Sequence, residues 1–259
     1  MIFVQILLLP LRLLIAAESF SEEPGQILGK RRYNGLKFGP TKQDYVLFQP
    51  NMTSLQEAYS VCGWVKRIRT DVSFSFWFAY GTRDDINQIV SSDNGYFRTL
   101  GTRLDLRSKV TDQIGTWRHM CLTWRLSTRT VRAYFDGTEL GSATTPSSKR
   151  LGLDGYLVLG NEFDKYGGGF EDQDAFGGEL YKVNVFDKEL SAGEVKEMSD
   201  SGMCSDVEEK NEGRIRLKWN EMLQKSRSGT VLEVDVGCRV LAVIADLKKE
   251  LIETKIASG

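Results

Sequence analysis

The sequence predicts an all-β protein, and three observations carry that prediction. From about Asp44 to Phe186 apolar residues recur at a period of two, the period of a half-buried strand. The runs are short and separated by turn formers, with 25 Gly against only 5 Pro in the chain. No strand–helix–strand alternation competes, so the strands belong to a sandwich or a barrel rather than a parallel sheet.

Val72-Ser73-Phe74-Ser75-Phe76 alternates apolar residues with serines, giving one buried and one wet face. Thr130 to Phe135 alternates again and runs into Asp136-Gly137, the dipeptide that a type I′ hairpin turn requires. Tyr156-Leu157-Val158-Leu159 is continuously apolar, as in a strand covered on both faces. Tyr181 to Val185 returns to strict alternation, and Arg214 to Trp219 repeats it with basic residues facing out. One helix interrupts the strands. Ser191 and Glu194 have the spacing of a capping box, followed by Val195 and Met198 and a stop near Gly202. A second helix is expected in the tail, where Val240, Ile244, Leu247 and Leu251 fall on one face.

Composition removes several function classes. Lys plus Arg is 34 and Asp plus Glu is 35, so no global positive charge favours nucleic acid. One histidine excludes a multi-His zinc site and leaves any Ser-His or Cys-His mechanism to His119 alone. Set beside Trp117 and the Cys121–Trp124 segment, His119 reads as a buried structural residue. Residues 1–17, MIFVQILLLPLRLLIAA, fit a secretory signal cleaved after Ala17 or Ser19; Arg12 breaks the run, which falls short of the roughly 20 apolar residues of a membrane span. Secretion agrees with four widely spaced cysteines, Cys62, Cys121, Cys204 and Cys238, which read as disulfides. Neighbourhood favours Cys62 with Cys121 and Cys204 with Cys238, although the sequence allows three connectivities. Asn51-Met52-Thr53 is an N-glycosylation sequon, placing Asn51 in a surface loop.

The chemistry concentrates in residues 160–174. Glu162 and Asp164 stand two apart at the end of a strand, so their side chains share a side. Three glycines then let the chain turn back and bring Glu171, Asp172 and Asp174 beside them. Converging carboxylates without nearby cations call for a hard cation, and calcium takes six to eight oxygens from such groups. Neither GxGxxG nor a Walker lysine is present, so the glycines are not a phosphate loop. A two-carboxylate glycosidase is excluded by Gly167, which stands where the second glutamate would be required. The chain is therefore read as a binding protein and not an enzyme.

His119-Met-Cys121-Leu-Thr123-Trp124 resembles the pentraxin signature His-x-Cys-x-Ser/Thr-Trp, and Gly160-Asn-Glu162-Phe-Asp164 with its glycines resembles that family's calcium loop. The resemblance runs from about Gln43 to Cys238. Together with the signal and the tail stripe read above, it divides the chain into a signal (1–17), an N-terminal extension (18–42), a pentraxin-like domain (43–238) and an amphipathic tail (239–259). It implies a jelly-roll, lectin-like β-sandwich, a Cys62–Cys121 bridge and a second bridge, Cys204–Cys238, found in some branches only. It further implies two calcium ions. Glu162, the Phe163 carbonyl, Asp164 and Asn87 would line the first; Glu162, Asp164, Glu171 and Asp174 the second, with Asp174 where the family commonly has glutamine. Ile86 stands where an aspartate is expected, and Asp85 or Asp84 would substitute if the loop shifts register. Ser92 occupies the position of the phenylalanine that walls the choline pocket in choline-binding members. The function implied is secreted, calcium-dependent recognition of phosphate-bearing head groups or glycans by a cyclic homo-oligomer, often a pentamer. The alternative on the same sandwich is a laminin-G-like adhesion or receptor-binding module with structural calcium and a protein partner.

Overall fold

A computed structural model describes residues 33–110, 114–147, 149–205 and 207–238. The expected signal segment and the expected tail helix lie outside the described residues. Among those described, no helix is long and apolar enough to cross a membrane.

Among the described residues, fourteen strands form two antiparallel sheets. They are β1 (Asn34–Phe38), β2 (Val46–Phe48), β3 (Ala58–Arg67), β4 (Phe76–Gly81), β5 (Ile89–Ser92), β6 (Tyr96–Thr99), β7 (Thr102–Asp105), β8 (Trp117–Arg125), β9 (Thr130–Phe135), β10 (Thr138–Thr144), β11 (Tyr156–Leu159), β12 (Gly178–Phe186), β13 (Ile215–Leu217) and β14 (Leu232–Asp235). The larger sheet runs β10-β9-β8-β3-β12-β1-β14, with β13 also on β12, and the smaller runs β2-β11-β4-β5-β6-β7. Helix α1 (Ala192–Asp200) follows β12, and a single helical turn, α2 (Trp219–Met222), follows β13.

The main core lies between the sheets. Trp77, Phe78, Tyr80, Leu157 and Leu159 from the smaller sheet meet Tyr59, Trp64, Trp124 and Val183 from the larger. Trp124 satisfies its indole N–H on Thr145 Oγ1 at 3.0 Å, so this aromatic is buried without an orphaned donor. His119 is buried beside Trp64, with ring centroids 5.2 Å apart, and burial pushes its pKa down to about 4. It packs in the interior, and neither ring nitrogen has a hydrogen-bond partner among the described residues.

The outer faces differ. On the larger sheet, Tyr134, Phe186 and the Cys62–Cys121 bridge are covered by Leu190, Val195 and Met198 of α1 and its lead-in. Ser191 and Glu194 form the expected capping box, and Ser60 Oγ holds the lead-in by accepting from Leu190 N at 2.9 Å. The bridge joins residues directly opposite in the β3–β8 ladder, and the second bridge joins Cys204 to Cys238. On the smaller sheet, Phe76, Ala79, Val90 and Val158 face outward under Phe163 and Phe170 of the glycine-rich loop.

Several local expectations meet the structure unevenly. β9, β11 and the Asp136-Gly137 turn stand where the sequence places them, with φ of 47° and 75° at the two turn residues. Val72–Ser75 is not strand; Phe74 instead stacks on Phe76 and meets Tyr96 edge-on outside the sheet. The Arg214–Trp219 strand shortens to Ile215–Leu217, because Trp219 N donates to the buried Asn184 Oδ1 at 2.8 Å and starts α2. The sandwich also begins ahead of the expected boundary at residue 43. β1 pairs with both β12 and β14, and Leu36 and Phe38 are core residues.

Candidate functional site: a carboxylate centre on the outer face

Two loops on neighbouring strands of the smaller sheet build the site. β4 and β11 pair antiparallel, so the β4–β5 loop leaves beside the start of β11. The segment after β11 comes back toward it over the outer face, where Tyr166 Oη donates to the Asp154 carbonyl at 2.9 Å. The first loop depends on Gly81. A Cβ there would lie 1.8 Å from the Ile86 carbonyl oxygen, so only glycine lets the Asp85–Asn87 segment fold back this closely. The second loop turns at Lys165–Gly168, whose ends exchange backbone hydrogen bonds at 3.1 and 3.0 Å. Gly169 follows with φ of 81°, where a Cβ would sit 2.8 Å from Lys165 N and 3.0 Å from Asp164 Cβ.

Within this frame Glu162, Asp164 and Asp174 each bring a carboxylate oxygen within 4.8 Å of the others. Phe163 between the first two is buried against Phe170 at 5.7 Å, so the loop is pinned to the sheet by its apolar side while the carboxylates stay together above. Glu162 accepts from the Asn87 side-chain amide and from the Phe163 backbone N–H. Even so, Glu162 Oε2 and Asn87 Oδ1 are buried with no hydrogen-bond partner among the described residues. Two oxygens in that condition are costly unless something outside the protein satisfies them.

The electrostatics agree. Burial, then the charges of Asp174 and Asp164, push the Glu162 pKa up to about 7. Burial, then Asp164 and Glu171, push Asp174 up to about 6. Like charges held this close favour protonation or a cation. Glu171 is exposed at the margin, where the Gln173 amide donates to it at 2.7 Å and also bonds Asp174. Asp172 points elsewhere, accepting from Lys42 N at 2.8 Å.

Asp85 does not join the centre. Its Oδ1 accepts from Asn87 N at 3.3 Å and from Arg98 Nη2 at 3.5 Å, and Lys149 Nζ lies 3.8 Å from Oδ2. Two cations hold the carboxylate on the loop's own backbone, so the expected register shift is absent and Ile86 packs into the outer apolar cluster. Ser92 is buried and offers no wall: its hydroxyl donates to Asn94 Oδ1 at 2.7 Å and accepts from Tyr96 N at 2.9 Å.

Sequence reasoning missed the residues that position the centre. Asn161 is fully buried; its Oδ1 accepts from Glu162 N at 2.9 Å and its amide donates to the Glu171 carbonyl at 3.3 Å, tying the two ends of the loop. An Asn after a strand-ending Gly was the available signal. Arg69 Nη1 donates to the carbonyls of Pro40, Asp172 and Ala175, and no spacing pattern announces it.

The model of the Pentaxin family matches residues 37–232. The chain belongs to the pentraxins. Neuronal pentraxin-1 of Homo sapiens is 35% identical over 141 residues, covering 53% of this chain and 32% of that protein. The chain thus spans about a third of the length of that relative. C-reactive protein of Oryctolagus cuniculus is 29% identical over 167 residues, covering 62% of this chain and 72% of that protein. Among solved structures, the native heptameric SAP-like pentraxin from Limulus polyphemus superposes with a TM-score of 0.61 at 20% identity, over 79% of this chain and 96% of that one. That likeness carries the jelly-roll fold. Pentraxins are lectin-like recognition proteins rather than enzymes, and calcium and ligand binding are general in the family.

Proposed function

We propose that the chain is a secreted recognition protein that binds phosphate-bearing head groups or glycans through two calcium ions. The observation that carries the reading is the pair of buried, unpartnered oxygens, Asn87 Oδ1 and Glu162 Oε2, beside three carboxylates within 4.8 Å. Calcium suits such a set because it takes mixed carboxylate, amide and carbonyl oxygens in flexible geometry. Asn87, Glu162, Asp164 and the Phe163 carbonyl would hold the first ion; Glu162, Asp164, Asp174 and Glu171 would hold the second. Positions of the shells left to solvent would take ligand oxygens. A cyclic homo-oligomer would align several weak sites on one face and convert them into avidity for a repetitive surface. The exposed Asn51, whose Oδ1 accepts from Thr53 N at 3.1 Å and Thr53 Oγ1 at 2.7 Å, would carry the glycan of a secreted chain.

The test is capture on phosphocholine, phosphoethanolamine and glycan resins in calcium, with chelator elution. Retention on at least one resin, released by chelator, is the expected result. An Asn87→Ala/Glu162→Gln double variant should fold and lose that retention. Unchanged calcium-dependent retention by the double variant would end the reading.

A further inference from the structure

The outer face of the smaller sheet continues past the carboxylate centre. Pairing registers place Val158 beside Ala79, Ala79 beside Val90, Val90 beside Arg98 and Arg98 beside Arg103. One row therefore crosses β11, β4, β5, β6 and β7. Val158, Ala79, Val90 and Tyr96 belong to the outer apolar cluster, whereas Phe97 belongs to the main core. Alternation along β6 then sets Arg98 on the outer face with Tyr96. From β4 to β6 is two strand spacings, about 10 Å, and Ala79 and Val90 between them are buried beneath the apolar side of the loop.

Two features of this end of the row point to an anion. Arg98 and Arg103 stand directly opposite each other across the β6–β7 hairpin, an arrangement that costs stability through like-charge repulsion. Arg103 is exposed, and Arg98 Nε is buried with no hydrogen-bond partner among the described residues. Asp85 answers only part of this charge, since Lys149 shares it with Arg98. Arg98 is also close to the centre, because its Nη2 and the Asn87 N–H donate to the same Asp85 oxygen. A ligand whose first anionic group sits at the ions would meet guanidinium groups at its far end. A quaternary ammonium would meet repulsion there and no aromatic wall at Ser92.

We propose that Arg98 and Arg103 form an anion subsite beside the calcium loops, which selects ligands bearing a second phosphate, sulfate or carboxylate and disfavours cationic head groups. The inference rests on the calcium-dependent reading above and names its ligand class. Guanidinium forks bind phosphate and sulfate oxygens in pairs, and such charge-assisted bonds are the stronger class of hydrogen bond.

The experiment measures calorimetric affinity in calcium for three probes: methyl phosphate, phosphocholine and 1,3-propanediol bisphosphate. Wild type and an Arg98→Gln/Arg103→Gln variant are compared, with folding of the variant checked by its thermal transition and by calcium titration. Wild type should prefer the bisphosphate over methyl phosphate by about tenfold and bind phosphocholine no better than methyl phosphate. The variant should keep its methyl phosphate affinity and lose the tenfold preference. Methyl phosphate binding with no gain for the bisphosphate, or a gain that survives in the variant, would overturn the subsite and leave the calcium reading standing. Binding of none of the three by a protein that still takes up calcium would overturn the subsite and the phosphate half of the calcium reading, leaving glycans as its ligand class.

Discussion

Replacing Glu162 by glutamine should act in opposite directions on the metal-free and calcium-loaded protein. The glutamine keeps the shape of the side chain and an acceptor for the Asn87 amide but removes the charge that burial, Asp174 and Asp164 disfavour. The wild-type carboxyl is raised from 4.5 to about 7 in the folded protein. Its folded pKa therefore lies above its unfolded one, and the folded state binds the extra proton between those values. Stability from this group is fully present below pH 4.5 and lost as pH rises through 7. At 1.36 kcal/mol per unit over the roughly 2.5 pH units between those values, the loss at pH 8 is about 3–4 kcal/mol as an upper bound. Metal-free Glu162→Gln should accordingly be more stable than wild type by about 2–3 kcal/mol at pH 8 and equal to it at pH 4. Calcium at a hundredfold its Kd should add about 2.7 kcal/mol to wild type and far less to the variant. Urea denaturation in chelator and in calcium, at both pH values with disulfides intact, measures all four quantities. The comparison must be between variant and wild type, since His119 works the other way. Its folded pKa is depressed to about 4, so its contribution is complete above pH 6.5 and lost as pH falls toward 4 in both proteins. A metal-free variant less stable than wild type at pH 8 would refute the reasoning, because Glu162 would then be stabilising the loop as an anion without any cation.

Three further changes probe the frame. Gly81→Ala places a Cβ 1.8 Å from the Ile86 carbonyl oxygen, so the Asp85–Asn87 loop must move; calcium affinity should fall at least tenfold by calorimetry while the core remains folded by near-ultraviolet circular dichroism. Asn161→Ala removes two buried hydrogen bonds and orphans Glu162 N and the Glu171 carbonyl; a loss of about 2–4 kcal/mol by urea denaturation is expected, partly restored by Asn161→Asp, which keeps the acceptor for Glu162 N. A Cys204→Ala/Cys238→Ala pair opens a bridge of sequence separation 34, and the urea midpoint should drop by the equivalent of about 3–4 kcal/mol without change in calcium affinity.

The elements legible in the sequence are those whose signal is local. Ser191 and Glu194 satisfy each other within one helical turn, and Asp136-Gly137 adopts its turn because those two residues tolerate positive φ. The carboxylates were legible because Glu162, Asp164 and Asp174 share one short loop. What failed depended on distant partners. Val72–Phe76 alternates as a strand should, yet Phe74 finds its partners in Phe76, Tyr96 and Arg107, outside any ladder. Trp219 ends a basic alternating run because of a bond to Asn184, 35 positions earlier. Asp85 looked like a spare ligand from spacing alone; Arg98, 13 residues on, claims it. Arg98 itself carries no motif, and its meaning comes only from the strand register that sets it beside Val90.

The division of labour between loop and sheet has a consequence for how such a protein changes. The groups proposed to hold ions sit on two loops whose glycines and clamps tolerate little substitution, whereas Arg98 and Arg103 project from regular strands that would hold their backbone whatever the side chain. On the proposed reading, whether anything is captured and what is captured are thus written in different residues. Ligand preference is free to drift along the face of the smaller sheet, one outward position at a time, while the machinery of capture stays fixed.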